Sequence, residues 1–181
     1  SSGDNTSLDF DGNEDYVTLP IYRESFGSNY TMSVWIKYEG SSNANYQAVF
    51  GGQSSNFFIG KNGGNTSLGI QDGQYKSDYG GNATWNGDWH NLTAVRDGSY
   101  VSAYLDGVLI SNKQFSNSGT GQIFLGLENQ GSPRFAFTGL MDNVAIWNIS
   151  KSQNEVSEEW NFIPSGSEPG LIALYNFNNG S

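Results

Sequence analysis

Two turn dipeptides, Asp97-Gly98 and Asp106-Gly107, divide the middle of the chain into short runs of alternating residues. Residues 100–105 and 108–111 flank the second dipeptide, with only its two residues between them. That spacing is typical of a two-residue β-hairpin, because Asp-Gly adopts the positive φ values that such turns require. Similar runs recur along the chain, and roughly twelve short strands at intervals of about ten residues predict a β-sandwich or jelly roll.

Composition supports this all-β, two-sheet antiparallel prediction. Only 14% of the residues are charged, 14% are aromatic, and 24 of the 181 are glycine. A helical bundle would contain more Leu, Ala, Glu and Lys. Because composition does not change along the chain, we expect residues 1–181 to form a single domain.

Charge and cysteine content exclude several functions. The net charge is −10 with only 8 Lys and Arg residues, so we expect no nucleic-acid partner. With no cysteine, disulfides and Cys-ligated zinc are excluded. No apolar run approaches the roughly 18 residues of a membrane span. The start at Ser1 leads us to expect a piece excised from a larger secreted protein.

Residues 135–148, FAFTGLMDNVAIWN, predict a strand inside a sheet, since the run is apolar and contains no proline. Asp142 and Asn143 interrupt this strand. A buried carboxylate must be paired, coordinated or exposed, because leaving it unpaired costs several kcal/mol.

Three other segments have distinct patterns. Residues 7–19 predict a hairpin that turns at Asp11-Gly12-Asn13 and ends at Pro20. Residues 31–38 predict a strand buried on both faces, with Trp35 opposite its aliphatic residues. Residues 152–161 predict one short helix near the C-terminus, because Ser152 can cap it and Glu155 follows three residues later.

Six pieces of the chain together resemble the laminin-G-like, concanavalin-A-like jelly-roll domains of secreted proteins. They are residues 7–19, 30–38, 89–98, 104–110, 139–148 and 154–160, in the order and spacing of that family. The resemblance implies a glycan- or protein-binding module of an extracellular or cell-surface protein. It also implies that other domains of the same parent chain are neighbours, and that residues 171–181 close the sheet or begin such a neighbour.

The resemblance further implies one structural calcium ion, and it places the strand of Asp142 beside the acidic turn near the N-terminus. We expect Asp11, Asn13, Asp15 and Asp142 to hold this ion through hard oxygen ligands. The alternative is that Asp11 and Asp15 cap turn N–H groups while Asp142 pairs with backbone or an arginine.

Sugar rings pack on aromatic side chains, while their hydroxyls need amides and carboxylates. Loop residues of both kinds are the candidate glycan-binding set: Tyr46, Tyr75, Tyr79, Asn82, Trp85 and Asn86. The alternative is that the aromatic residues fill the core, which we expect for Trp35, Trp89, Trp147 and Trp160.

The sequence does not favour catalysis. Fold relatives that cleave glycans carry closely spaced acids along one strand, and no such spacing occurs here. The three acids at positions 155, 158 and 159 lie on the predicted helix, and the single histidine, His90, lies within a strand pattern. We therefore expect a non-catalytic carbohydrate-binding module. The alternatives are an adhesion, protein-interaction or spacer module and, third, a polysaccharide hydrolase or lyase.

Overall fold

The computed structural model describes residues 6–40, 46–53, 57–62, 67–78, 85–129 and 133–177. These residues form fifteen strands, one 3-10 helix and one α-helix. The strands are β1 (Leu8–Asp11), β2 (Val17–Tyr22), β3 (Asn29–Tyr38), β4 (Gln47–Gly52), β5 (Phe57–Asn62), β6 (Ser67–Asp72), β7 (Tyr75–Asp78), β8 (Trp89–Asp97), β9 (Tyr100–Leu105), β10 (Val108–Gln114), β11 (Gln122–Leu125), β12 (Glu128–Asn129), β13 (Pro133–Arg134), β14 (Thr138–Trp147) and β15 (Leu171–Tyr175). The 3-10 helix is Arg23–Phe26, and α1 is Gln153–Glu159.

Two antiparallel sheets form a sandwich, as the strand pattern predicted. The first sheet has seven strands in the order β1-β14-β3-β8-β9-β10, with β15 also paired to β14. The second has six strands in the order β2-β11-β4-β5-β6-β7. β12 and β13 form a separate two-stranded sheet.

The core lies between the two sheets and is built from alternate residues of their strands. Met32, Val34 and Ile36 of β3 are fully buried there, in one cluster with Phe57 and Ile59 of β5. Trp35 lies on the opposite face of β3, as the alternation predicted. The seven-stranded sheet therefore has an inner face toward the core and an outer face away from it.

The two-residue hairpin at Asp106-Gly107 is confirmed. Val108 pairs with Leu105, which leaves these two residues as the loop. Asp106 has φ 49° and Gly107 has φ 77°, the positive values that a hairpin of this length requires.

The N-terminal hairpin prediction is wrong. β1 pairs with β14 in the seven-stranded sheet, whereas β2 pairs with β11 in the other sheet. The intervening bend includes Glu14 at φ 90° and carries the chain from one sheet to the other. Nor does Pro20 end the strand, because β2 is an edge strand and an edge position tolerates the missing N–H.

A buried ion cluster joins the two sheets at one end of the sandwich. The Asp72 carboxylate, on β6, accepts two hydrogen bonds from Arg23, Nε at 2.8 Å and Nη2 at 2.7 Å. It also accepts one from Arg96 Nη1, on β8, at 2.5 Å. All three side chains are almost completely buried, so their mutual pairing is what makes burial of these charges tolerable.

The predicted helix is confirmed as α1, and its capping box is present. Glu155 N donates to Ser152 Oγ at 3.3 Å, and Ser152 N donates to Glu155 Oε2 at 2.7 Å. Val156 is its buried residue. After α1, β15 pairs with β14 and extends the seven-stranded sheet. In the described part of the chain, no helix is long and apolar enough to cross a membrane.

Candidate functional site

The acidic bend near the N-terminus is held by its own side chains. Asp11 Oδ1 accepts a hydrogen bond from Asn13 N at 2.7 Å, and Asp15 Oδ2 accepts one from Asp11 N at 3.1 Å. These bonds lower the pKa of the Asp11 carboxyl, chiefly through the Asn13 backbone N–H. The arrangement is that of a side-chain-capped turn.

Asp142 and Asn143 form a β-bulge in β14. Asp142 pairs with Trp35 and Ala145 with Ser33, so Asn143 and Val144 together face one residue of β3. Asn143 takes φ 49°, a conformation that asparagine tolerates better than most residues. Its backbone N and its Nδ2 both donate to the Asp142 carboxylate, at 2.7 Å and 3.1 Å. The polar interruption of the strand is therefore a self-paired bulge.

The four residues expected to hold calcium do not meet at one point. β1 lies beside β14, as the resemblance implied, but Asp11 pairs with Thr138 and Leu8 with Met141. Asp142 thus lies four residues along β14 from the partner of Asp11, about 13 Å at 3.3 Å per residue. Within the described ranges, no group of three or more Asp, Glu, His or Cys side chains could hold a metal ion. The single four-residue site does not fit the structure.

The described part of the chain places the predicted glycan-binding residues in different environments. Trp85 is only 7% exposed and packs edge-on against Tyr38 in the core, with ring centroids 5.7 Å apart, so it is not a surface platform. Asn86 is exposed, and its Oδ1 accepts a hydrogen bond from Asp88 N at 2.8 Å. Tyr75 begins β7, whereas Tyr79 and Asn82 lie outside the described residues.

Among the described residues of this set, Tyr46 lies in an aromatic surface cluster. Its ring is 5.1 Å from that of Phe135 and 6.4 Å from that of Phe58. The Arg134 guanidinium stands 4.4 Å from the Phe135 ring centroid. This cluster covers part of the outer face of the six-stranded sheet.

A groove of about 310 Å³ lies on the outer face of the seven-stranded sheet, and we call it the outer groove. Strands β3, β8 and β14 form its floor, and α1 with the following loop forms its rim. Its lining includes Trp35, Trp147, Trp160, Ser33, Asn91 and Thr93. The rings of Trp35 and Trp160 lie 5.8 Å apart at 40° and make one continuous aromatic wall.

The polar part of the floor is a small hydrogen-bonded group. Asn91 Nδ2 donates to Ser33 Oγ at 3.0 Å, and Thr93 Oγ1 donates to Asn91 Oδ1 at 2.8 Å. The three side chains come from neighbouring positions of β3 and β8 on the outer face. Amides and hydroxyls fixed beside an aromatic wall suit a ligand with both C–H faces and hydroxyl groups.

Charged groups at the rim are already engaged. Lys151 Nζ lies 4.0 Å from the centroid of the Trp147 ring and 2.6 Å from Glu159 Oε2. Glu168 accepts hydrogen bonds from Ser165 N at 2.7 Å and Gly166 N at 3.0 Å. The Ser165 backbone bond is the main reason that the pKa of Glu168 is lowered to about 2.

Two buried polar atoms of groove-lining residues have no hydrogen-bond partner among the described residues. They are the indole Nε1 of Trp147 and the Oδ1 of Asn143. Trp147 is 4% exposed. Buried polar groups are rarely left unpaired, so each such atom calls for an explanation.

The sequence predicted that Trp35, Trp89, Trp147 and Trp160 fill the core. Trp147 is buried, as predicted, although it lines the outer groove, but Trp35, Trp89 and Trp160 are not buried and the prediction is wrong for these three. Trp89 is 40% exposed, and the other three line the outer groove. The sequence did contain one signal for the groove. Alternation along β3 places Trp35 opposite the aliphatic residues, and alternation along β8 places Asn91 and Thr93 on one face.

A family model for the concanavalin A-like lectin/glucanases superfamily matches residues 11–157. No curated protein gives a significant match by sequence. Many solved structures are similar in fold, among them the following three. A proposed carbohydrate-binding protein of Bacteroides ovatus has a TM-score of 0.75 at 14% identity, covering 96% of this chain and 52% of its own. Our chain therefore spans about half the length of that relative.

The other two structures contain bound sugar. Domain 4 of the extracellular arabinanase AbnA of Geobacillus stearothermophilus, in complex with arabinotriose, has a TM-score of 0.62 at 22% identity, covering 84% of this chain and 75% of its own. The sialidase module CBM40 of Ruminococcus gnavus, bound to α2,3-sialyllactose, has a TM-score of 0.56 at 13% identity, covering 72% and 82%. These likenesses concern the fold. With two stacked antiparallel sheets and a family match over most of its length, the chain belongs to the laminin-G-like family of the concanavalin A-like lectin/glucanases superfamily.

Proposed function

We propose that this chain is a non-catalytic carbohydrate-binding module of a secreted or cell-surface multidomain protein, and that the outer groove is its glycan site. The observation that carries the proposal is the make-up of the groove. A continuous Trp35–Trp160 wall stands beside the fixed amide and hydroxyls of Asn91, Ser33 and Thr93. The volume of about 310 Å³ is at the lower end of the range for small-ligand sites, about 300–1,000 Å³.

The three solved structures of similar fold support the same function. One is proposed to bind carbohydrate, one is a domain in complex with arabinotriose, and one is a carbohydrate-binding module of a sialidase. The extracellular arabinanase also supports an extracellular location and neighbouring domains in the parent chain.

The carboxylates of the groove support a non-catalytic role. Glycoside hydrolysis requires an acid whose pKa is raised, so that it can protonate the leaving group. Glu168 has its pKa lowered to about 2 by the turn that it caps, and Glu159 is held in an ion pair with Lys151. The lowered pKa of Glu168 is the opposite of what a general acid requires.

Calcium remains a prediction for the acidic bend alone. Asp11, Asn13 and Asp15 supply hard oxygens there, while Asp142 is engaged with Asn143 in the bulge. Any role of the ion would be structural, at the point where the chain passes from one sheet to the other.

The exposed apolar residues near the groove support a second candidate function, contact with a neighbouring protein domain. Phe162 and Ile163 follow α1, Ile149 follows β14, and Ile172 lies on β15. All four side chains are exposed. A module that used this surface without binding glycan would be a protein-interaction or spacer module.

A glycan array probed with the whole chain, with and without EDTA, tests the first proposal. We expect binding to at least one polysaccharide and a loss of at least tenfold in affinity in Trp160→Ala. Trp89→Ala is the matched control, because Trp89 is exposed but lies outside the groove lining. Failure to bind any glycan would refute the proposal, and turnover of a bound polysaccharide would overturn its non-catalytic part.

A further inference from the structure

The bulge sets the orientation of the Asn143 amide. An ionised carboxylate only accepts hydrogen bonds, so the atom that Asn143 presents to Asp142 Oδ2 at 3.1 Å must be Nδ2. Oδ1 is therefore on the other side of the amide, buried and without a partner among the described residues. Asp142 thus orients the amide of Asn143, and Asn143 is a residue of the groove lining.

Trp147 contributes the opposite kind of atom. Its indole Nε1–H is a donor that cannot accept, and it too is buried without a partner in the described part of the chain. One face of its ring is covered by Lys151. Two residues of the groove lining thus carry one buried donor and one buried acceptor without a partner among the described residues. A sugar hydroxyl can both donate and accept, so a hydroxylated ligand can satisfy both atoms.

The charges of the groove lining select against anionic ligands. Glu159 and Glu168 are negative, and Lys151, the cation of the lining, is already paired with Glu159. A carboxylate-bearing sugar would meet this net negative charge without an available cation. In a partly desolvated groove, like charges repel more strongly than in water.

We propose, resting on the proposed function above, that the outer groove is specific for uncharged sugars. In this proposal Trp147 Nε1–H donates to one hydroxyl of the sugar and Asn143 Oδ1 accepts from another. The C–H face of the ring packs on the Trp35–Trp160 wall. Trp147 and Asn143 are then the specificity-determining residues of the site.

Two ligand pairs test the charge selection by calorimetry on the whole chain: lactose against α2,3-sialyllactose, and α1,4-galactotriose against trigalacturonic acid. In at least one pair we expect the neutral member to bind at least tenfold more tightly than the acidic one. Equal or tighter binding of the acidic members would overturn the proposal. If none of the four ligands binds and the glycan array also shows no binding, both the proposed specificity and the proposed function fail.

Two variants test the residue roles with the bound neutral sugar. Trp147→Phe removes the donor, and Trp85→Phe is its control. Trp85 Nε1 is also buried and has no partner among the described residues, but Trp85 lies in the core. Asn143→Gly removes the acceptor while suiting the positive φ, and Glu14→Gly is the control, because Glu14 also has positive φ and is exposed. We expect at least tenfold weaker binding in the groove variants and changes within twofold in the controls.

A readout on the unmutated chain keeps the test independent of folding defects in the variants. The indole N–H resonance of Trp147 is expected to shift on titration with the neutral sugar, and that of Trp85 to stay in place. An unmoved Trp147 resonance despite saturable glycan binding would overturn the site assignment and leave the proposed function standing.

Discussion

Gly107 lies directly beneath the indole of Trp160, and a Cβ on Gly107 would collide with the Trp160 ring. Gly98, in the preceding Asp-Gly turn, also has positive φ but nothing within 4 Å of its Cβ position. Comparing substitutions at the two glycines therefore distinguishes the effect of backbone strain from the effect of contact with the groove wall. Gly98→Ala should lower the free energy of unfolding by about 1–2 kcal/mol through strain alone. Gly107→Ala should lower it further and also weaken glycan binding by displacing Trp160.

Urea denaturation and calorimetry of both variants measure this difference. Equal destabilisation and unchanged glycan affinity in Gly107→Ala would show that Trp160 does not depend on this contact.

The buried Asp72 cluster should be the most sensitive ion site of the described fold. Asp72→Asn leaves Arg23 and Arg96 buried without their carboxylate. Breaking a buried ion pair from one side typically costs about 3–5 kcal/mol, and we expect a loss in that range. Urea unfolding followed by tryptophan fluorescence measures this loss in the free energy of unfolding. Glu39→Gln, which breaks the exposed pair with Lys37, is the control and should cost about 0–1 kcal/mol.

Asp142→Asn tests the bulge that positions Asn143. The substituted amide offers one acceptor oxygen to the two donors of Asn143, so one of them loses its partner. We expect about 1–2 kcal/mol of destabilisation and weaker glycan binding, since the Asn143 amide becomes free to turn over. Asp9→Asn on β1 is the control, because Asp9 is exposed on a neighbouring strand. Unchanged affinity in a folded Asp142→Asn protein would contradict the positioning role.

The sequence predicted correctly those features of the fold that residues close together in the chain specify. The Asp106-Gly107 hairpin and the Ser152 capping box were predicted correctly, because each is specified by residues within a few positions of one another. The bend at residues 11–15 was mistaken for a hairpin. The local pattern of residues 11–15 is that of a turn, and it does not indicate that β2 joins the other sheet.

The candidate site was largely missed for the same reason. Its lining comes from β3, β8, β14 and the α1 region, which meet only in the folded chain. Trp85 was taken for a surface residue because its sequence neighbours are polar, whereas its contact in space is Tyr38 in the core. The interruption at Asp142 was noticed correctly, but its explanation, a bulge opposite β3, required the register of the sheet.

We expect calcium bound at the acidic bend to stabilise the protein without any contribution from Asp142. A rise in Tm on adding calcium chloride is then expected to survive Asp142→Asn and to be lost in Asp11→Asn. A single site shared by both residues predicts instead that each variant abolishes the rise. Differential scanning calorimetry in EDTA and in calcium, on both variants, distinguishes the two arrangements.

Glu168 makes the groove-side loop sensitive to acid. Hydrogen bonds from Ser165 N, then from the Ser165 hydroxyl and Gly166 N, lower the pKa of Glu168 from the usual 4.5 to about 2. Because the folded pKa is below the unfolded one, these bonds contribute fully above about pH 4.5 and are lost as the pH falls through about 2. An NMR titration of the Glu168 side-chain carboxyl should therefore show a midpoint near 2, and Glu168→Gln should shift the amide signals of Ser165 and Gly166 at neutral pH. Glu158→Gln on the exposed side of α1 is the control and should leave both amides in place. A Glu168 midpoint near 4.5 would show that the carboxylate does not cap this turn in solution.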